Sequence, residues 1–153
     1  MTDTPELTIR PATEADVPAI VAMLADDPLG ATRESPDDLT PYLAALKRIT
    51  GDPNQHLVVA VRADRVVGTL QLTIVPGLSR KGATRSIIEG VRVHADERGG
   101  GLGTRFIEWA VETSRAENCT LVQLTSDVTR TDAHRFYERL GFTASHVGFK
   151  LQL

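Results

Sequence analysis

The stretch Val91-Arg92-Val93-His94-Ala95-Asp96-Glu97-Arg98-Gly99-Gly100-Gly101-Leu102-Gly103-Thr104 decides how the rest of the chain is read. It begins as a strand, with valines at 91 and 93 on one face. It ends in three consecutive glycines, a leucine and a fourth glycine, and a helical segment from Thr104 to Glu117 follows at once. Strand, glycine loop and helix start, in that order, make an anion site. The first N–H groups of a helix have no partner inside it, and the helix dipole adds positive potential there. Glycine lets the backbone turn through positive φ and lets a phosphate come close.

A glycine cluster before a helix can also be no more than a turn. The spacing lacks Gly-x-x-x-x-Gly-Lys-Ser/Thr and lacks Gly-x-Gly-x-x-Gly, which argues against a nucleotide triphosphatase or a Rossmann dehydrogenase. It fits Arg/Gln-x-x-Gly-x-Gly/Ala instead, as Arg98-x-x-Gly101-x-Gly103.

Working outward, 153 residues suit a single domain, 1–153. With 41% hydrophobic and 24% charged residues, the composition is that of a soluble globular protein. A net charge of −3 gives no electrostatic support to a nucleic-acid partner. One cysteine, Cys119, excludes an internal disulfide and a cysteine metal cluster; it precedes an apolar run and is expected to be a buried thiol. His56, His94, His134 and His146 are scattered without metal-ligand spacing, so no metal is expected. The N-terminal residues carry neither a basic segment nor an apolar core, and no run of 18 apolar residues occurs. The expectation is a cytoplasmic protein without signal peptide or membrane partner.

Residues 1–5 are expected to be a loose tail, and Leu7–Arg10 a strand closed by Pro11. Thr13 and Asp16 form a capping box ahead of a helix whose core face is Val17, Ile20, Val21 and Leu24. Ser35-Pro36-Asp37-Asp38 is predicted to open a second helix with the stripe Leu39, Tyr42, Leu43 and Leu46. Residues 55–62 and 65–75 read as antiparallel strands about an Ala63-Asp64 turn. A basic loop, 76–82, leads into a strand over 86–93. Strict alternation there places Ile87, Glu89, Val91 and Val93 on one face, and so Glu89 among apolar neighbours. The helix after the glycine loop has the stripe Leu102, Phe106, Trp109, Ala110 and Thr113. A strand over 120–125 follows, then a helix from about Asp132 to Leu140 with the stripe Ala133, Phe136, Tyr137 and Leu140. Gly141 is a C-cap, and His134 is expected at the surface of that helix. Phe142-Thr143 and Val147–Leu153 read as two final strands.

The last helix carries a second signal, Ala133-His134-Arg135-Phe136-Tyr137-Glu138-Arg139-Leu140-Gly141-Phe142, of the form Ala-x-x-Phe-Tyr-x-x-x-Gly-Phe. Together, the two motifs and the order of elements resemble the GCN5-related N-acetyltransferase (GNAT) superfamily over nearly the whole chain, most specifically over residues 85–142. The resemblance implies a mixed α/β (α+β) domain. Its central, mostly antiparallel sheet would be flanked by about four helices, with splayed fourth and fifth strands and often a bulge in the fourth. It implies acetyl-CoA as acyl donor and direct transfer to a primary amine of a small molecule or peptide. The pantetheine arm would pair with the backbone of Val91, Arg92 and Val93. The pyrophosphate would sit on the N–H groups of Arg98, Gly99, Gly100, Gly101, Leu102, Gly103 and Thr104.

The chemistry asks for a base, because an alkylammonium (pKa ~10.4) has no lone pair, and for a proton at the departing thiolate. Tyr137 lies where the family often carries the general acid, a phenol that keeps its proton at neutral pH; the alternative is a core tyrosine. Some relatives carry a glutamate in the fourth strand as base, and Glu89 matches that place. Burial would suit it to that role; the alternatives are an anchor for substrate charge or an ion pair with Arg85 or Arg92. His94 is a weaker choice of base. Many members have Asn where this chain has Arg130, so that cofactor contact is not carried over. A non-catalytic acyl-CoA-binding or sensing domain of the same fold is the rival reading. The acceptor cleft is expected between the 26–55 segment and the 76–86 loop, whose Arg80, Lys81 and Arg85 suit either an anionic acceptor or plain solvation. The resemblance also leaves room for a homodimer.

Overall fold

Pro11 ends β1 (Leu7–Pro11), and the next residues turn directly into the first helix. The Asp16 carboxylate accepts the Thr13 N–H at 2.7 Å and its hydroxyl at 3.1 Å. That closes a 3₁₀ turn, Glu14–Asp16, from which α1 (Val17–Ala25) grows. The computed structural model describes residues 3–153, so part of the expected N-terminal tail lies outside the described residues. The remaining elements are α2 (Thr40–Thr50), β2 (Gln55–Arg62), β3 (Arg65–Pro76), α3 (Ser79–Gly82), β4 (Thr84–Val93), α4 (Leu102–Ala116), β5 (Cys119–Leu124) and α5 (Thr131–Arg139). The chain up to Gln123 forms one unit and Leu124–Leu153 a second.

In the first unit the sheet order is β1-β2-β3-β4-β5, and the first four strands are antiparallel neighbours. The β2–β3 hairpin turns on Ala63 and Asp64, both at positive φ (51° and 61°), the handedness a two-residue hairpin requires. Val58, Ala60, Leu70, Leu72 and Ile88 from the sheet and Phe106, Ile107 and Ala110 from α4 are buried together in the core. Burying a side chain such as Phe106 contributes about 1.5–3 kcal/mol. α1 adds Val17, Ile20, Val21 and Met23 to the core. Met23 takes the buried place expected of Leu24, because the Asp26-Asp27 break ends the helix before the stripe completes another turn.

Several expectations are corrected. The second helix starts at Thr40, not at Ser35. Ser35 closes a turn instead, its hydroxyl donating to the Asp38 carbonyl at 3.3 Å. Pro41 then occupies the first helical turn, where a missing N–H costs nothing. α4 starts at Leu102, and its buried face includes Ile107 and Ser114. Cys119 is half-buried, with its thiol pushed up by burial and by Glu117. The final two strands do not form: residues 142–153 make no ladder, and Val147, Phe149, Leu151 and Leu153 are exposed. Alternation supplies a strand's side chains but not a neighbouring edge to bond with.

Candidate active site

β4 is not regular. Thr69 pairs with Arg92 and Gln71 with Glu89, so two steps along β3 correspond to three along β4. The extra residue is a bulge at Gly90-Val91, with Gly90 at φ 61°. The bulge resets the alternation. Glu89 shares a face with Gln71 and Arg92, rather than with Val91, and is exposed rather than buried among Ile87 and Val91. It has no ion pair among the described residues. Arg92, one suggested partner, pairs with Asp27 at 3.1 Å. Around Glu89 the face is polar: Gln55 Oε1 accepts from Gln71 Nε2 and from Thr73 Oγ1, both at 2.9 Å.

Beyond the bulge, His94 donates its N–H to the Val67 carbonyl at 2.8 Å and opens a 3₁₀ turn over Ala95–Glu97. The β2–β3 hairpin braces this turn: Arg62 pairs with Glu97 at 3.2 Å and Arg65 with Asp96 at 3.0 Å. Arg65 also reaches the His94 ring at 2.9 Å, so His94 is engaged in the brace. Arg98 to Gly101 follow, all exposed, with Gly99 and Gly101 at φ 83° and 82°. Only glycine adopts that pair of angles without strain. Nothing lies within 4 Å of the Cβ either residue would carry, so the loop opens onto free space.

Gly101 caps α4, and its carbonyl accepts the first helical bond from Arg105 at 3.1 Å. The N–H groups of Leu102, Gly103 and Thr104 are then left over at the positive end of a 15-residue helix. Asp26 and Asp27, at the end of α1, reach the same region. Asp27 holds Arg92, and Asp26 pairs with Arg98 at 3.4 Å. Nothing in the sequence spacing announced these two pairs, because the partners are more than sixty residues apart.

A pocket of about 290 Å³ lies beside β2, lined by Leu46, Ile49 and Thr50 of α2 with Gln55, His56 and Trp109. The helical segment ahead of the sheet therefore does line a cavity, and Gln55 belongs both to it and to the polar face beside Glu89.

In the second unit, α5 carries Tyr137 half-buried between two rings. Phe136 and Phe142 meet it edge-on, at 5.2 Å and 5.8 Å between centroids. Gly141, at φ 98°, ends the helix, and the Phe142 N–H returns to the Tyr137 carbonyl at 3.1 Å. This explains the motif physically: the glycine reverses the chain so that Phe142 packs on Tyr137. His134, expected at the surface, is half-buried, with its ring nitrogen 2.8 Å from the Asp127 carbonyl. Among the described residues, no three His, Cys, Asp or Glu side chains are grouped to hold a metal ion.

A bulged fourth strand, a left-handed glycine turn and the start of a long helix thus follow one another in the first unit, in an α/β domain of the acyltransferase class. The chain matches the Acetyltransferase (GNAT) family over residues 18–142 and belongs to it. Members of the family generally take acetyl-CoA as donor. A structure from Bacillus halodurans C-125, described as a transcriptional regulator, is 46% identical, with a TM-score of 0.93 over 97% of this chain and all of its own. The aminoalkylphosphonate N-acetyltransferase of Salmonella typhimurium is 37% identical over 64% of this chain and 63% of its own length. The glucosamine 6-phosphate N-acetyltransferase of Trypanosoma brucei brucei is 38% identical over 58% of each chain. The matched part thus spans less than two thirds of both of these relatives.

Proposed function

We propose that this protein is a cytoplasmic N-acetyltransferase, a single domain that passes the acetyl group of acetyl-CoA directly to a primary amine of a small molecule in a ternary complex. The observation that carries this reading is the glycine turn itself. Its two left-handed glycines face open space, and the free N–H groups of α4 stand beside it. Residues 98–104 fit a pyrophosphate, and the Val91–Val93 backbone after the bulge is the place for the pantetheine arm. Bound there, the coenzyme would supply an activated thioester.

The protein's own groups do the rest. Glu89, exposed and without an ion pair among the described residues, takes the proton of the incoming ammonium, directly or through a water. Tyr137 donates its hydroxyl proton to the departing sulfur. A backbone N–H near the bulge steadies the charge that develops on the carbonyl oxygen. Both curated relatives act, by name, on amines that also carry a phosphorus oxyanion, which favours an acceptor of that kind here.

Thiol release from acetyl-CoA, followed over an amine panel for wild type, Glu89→Gln and Tyr137→Phe, tests this reading. Both variants should lose rate while still binding the coenzyme. Coenzyme binding with no acetylated amine would favour the sensing reading, to which the name of the Bacillus halodurans relative lends weight. No coenzyme binding at all would sink the proposal.

We extend the proposal to a homodimer. Val147, Phe149, Leu151 and Leu153 alternate along an exposed segment, and a second copy would cover those side chains. Light scattering should give twice the chain mass for wild type and the single-chain mass for Phe149→Asp. A monomeric wild type would refute the dimer.

A further inference from the structure

The basic loop between β3 and β4 is built unlike the rest of the surface. From Arg65 to Ile88 the chain contains no Asp or Glu, yet it carries Arg65, Arg80, Lys81 and Arg85. Arg65 is tied to Asp96. Arg80, Lys81 and Arg85 form no ion pair among the described residues, whereas the arginines around the glycine loop, 62, 65, 92 and 98, all do.

The loop is also strained. Within α3, Arg80 and Lys81 both lie in the left-handed region, at φ 55° and 62°. Residues with side chains are rarely held there, and such strain clusters where function needs a fixed shape. The strain is held by two short backbone bonds, Gly82 N–H to the Leu78 carbonyl at 2.9 Å and Ala83 N–H to the Ser79 carbonyl at 3.2 Å. The Arg85 guanidinium turns toward this loop and lies over Gly77, with Nη1 3.7 Å from the Cβ that residue lacks.

The sheet fixes where Arg85 stands relative to Glu89. β4 is regular from Thr84 to Glu89, so Arg85, Ile87 and Glu89 share one face, opposite Val75, Thr73 and Gln71. Four steps of strand lead from Arg85 to Glu89, about 13 Å along the sheet. The side chains between them are Ile87, Thr73 and Gln71, the last two held by Gln55. One strip of sheet thus runs from the Glu89 carboxylate at one end to Arg85 at the other, where the basic loop with Arg80 and Lys81 begins, and none of these four has an ion pair among the described residues.

We propose that this strip is the acceptor site, and that Arg80, Lys81 and Arg85 bind a phosphate or phosphonate dianion on the acceptor whose amine is presented to Glu89. This rests on the acetyltransferase reading and assigns residues to its acceptor. An ammonium is drawn to the carboxylate end and a doubly charged oxyanion to the cationic end. Arg85 supplies the planar fork that suits phosphorus oxygens, and Lys81 a point charge. A plain alkylamine would leave the cations unused.

The test compares 4-aminobutylphosphonate, whose chain lets the amine approach Glu89 while the phosphonate meets the basic loop, with butylamine as acceptors, for wild type, Arg85→Gln and the double variant Arg80→Ala/Lys81→Ala. Calorimetric acetyl-CoA binding runs beside it as a check on the fold. Wild type should prefer the phosphonate, and each variant should lose roughly 10–100-fold of kcat/KM for it, through KM. Inorganic phosphate should compete with the phosphonate for wild type and much less for the variants. Equal use of both amines, or unchanged phosphonate KM in both variants, would overturn the anion site while leaving the enzyme intact. If wild type acetylates neither amine, the enzyme reading is what fails. Calorimetric titration with 4-aminobutylphosphonate then decides the anion site on its own, since Arg85→Gln must weaken that binding for the proposal to stand.

Discussion

The hydroxyls of Ser86 and Ser114 meet at 2.7 Å in the core and join β4 to α4, the two elements that flank the glycine turn. The Ser114 hydroxyl also donates to the Ala110 carbonyl at 2.7 Å, so its single proton is committed and Ser86 is the donor of the pair. The two deletions are therefore unequal. Ser114→Ala strands a buried donor on Ser86 and should destabilise by about 1–3 kcal/mol, whereas Ser86→Ala leaves only an acceptor without its second partner and should cost about 1 kcal/mol. The double variant should cost less than the sum of the two. Urea unfolding of all four proteins measures this directly, and additive losses would show that the pair is not coupled.

Gly68 is where β3 comes closest to α4. A Cβ there would collide with the Phe106 ring, standing 3.0 Å from Cζ, and would lie 3.2 Å from the Arg92 carbonyl oxygen. Gly68→Ala should destabilise by about 1–3 kcal/mol, the usual cost of overpacking. Phe106→Leu in the same chain should recover part of that loss by making room. If Gly68→Ala melts at the wild-type temperature, the close approach is not as tight as described.

Much of this arrangement was legible in the residues themselves. The capping box at Thr13 and Asp16, the Ala63-Asp64 turn and the Gly141 stop are local devices, each fixed by a few neighbouring side chains, and each stands where its pattern put it. Strict alternation misplaces Glu89 because a bulge adds a residue to one strand only. That shift is defined by register against β3 and leaves no mark on β4 except Gly90. The Asp26–Arg98 and Asp27–Arg92 pairs were invisible for a similar reason, since they join distant parts of the chain. The C-terminal alternation over 147–153 has a strand's pattern without a strand's ladder, because side-chain pattern is local while ladder formation needs a partner.

Asp16 makes stability depend on pH in a defined direction. Hydrogen bonds from Arg10, at 2.7 and 3.0 Å, hold its carboxyl below the ordinary value, helped by the Thr13 N–H and hydroxyl and opposed by burial. A carboxyl depressed on folding adds stability that is fully present above its unfolded pKa of about 3.9 and is lost as pH falls through the folded value. Arg10 is raised by the same pair and stays charged throughout, so the pair breaks only from the acid side. Wild type should therefore lose more stability than Asp16→Asn between pH 5 and pH 3, roughly 1–3 kcal/mol more, with little difference between pH 6 and pH 8. Parallel acid denaturation curves for the two proteins would remove Asp16 from this role.

Arg98 begins the glycine turn and is the residue whose charge is most easily redirected. Its partner Asp26 is 3.4 Å away, and both side chains are more than half exposed, at 58% and 64%. Such a pair contributes at most about 1 kcal/mol to stability. A pyrophosphate on the turn would compete with Asp26 for the same guanidinium. Arg98→Ala should then leave the melting temperature nearly unchanged while weakening acetyl-CoA binding roughly ten-fold, the loss of one charge-assisted contact. Asp26→Asn should act the other way, freeing Arg98 and tightening the coenzyme a few-fold. The two effects should shrink together as salt is raised, because both are contests between exposed charges. Calorimetric titration of acetyl-CoA at low and high salt separates the outcomes. Asp26→Asn that weakens binding would mean the carboxylate positions Arg98 for the phosphates instead of withholding it.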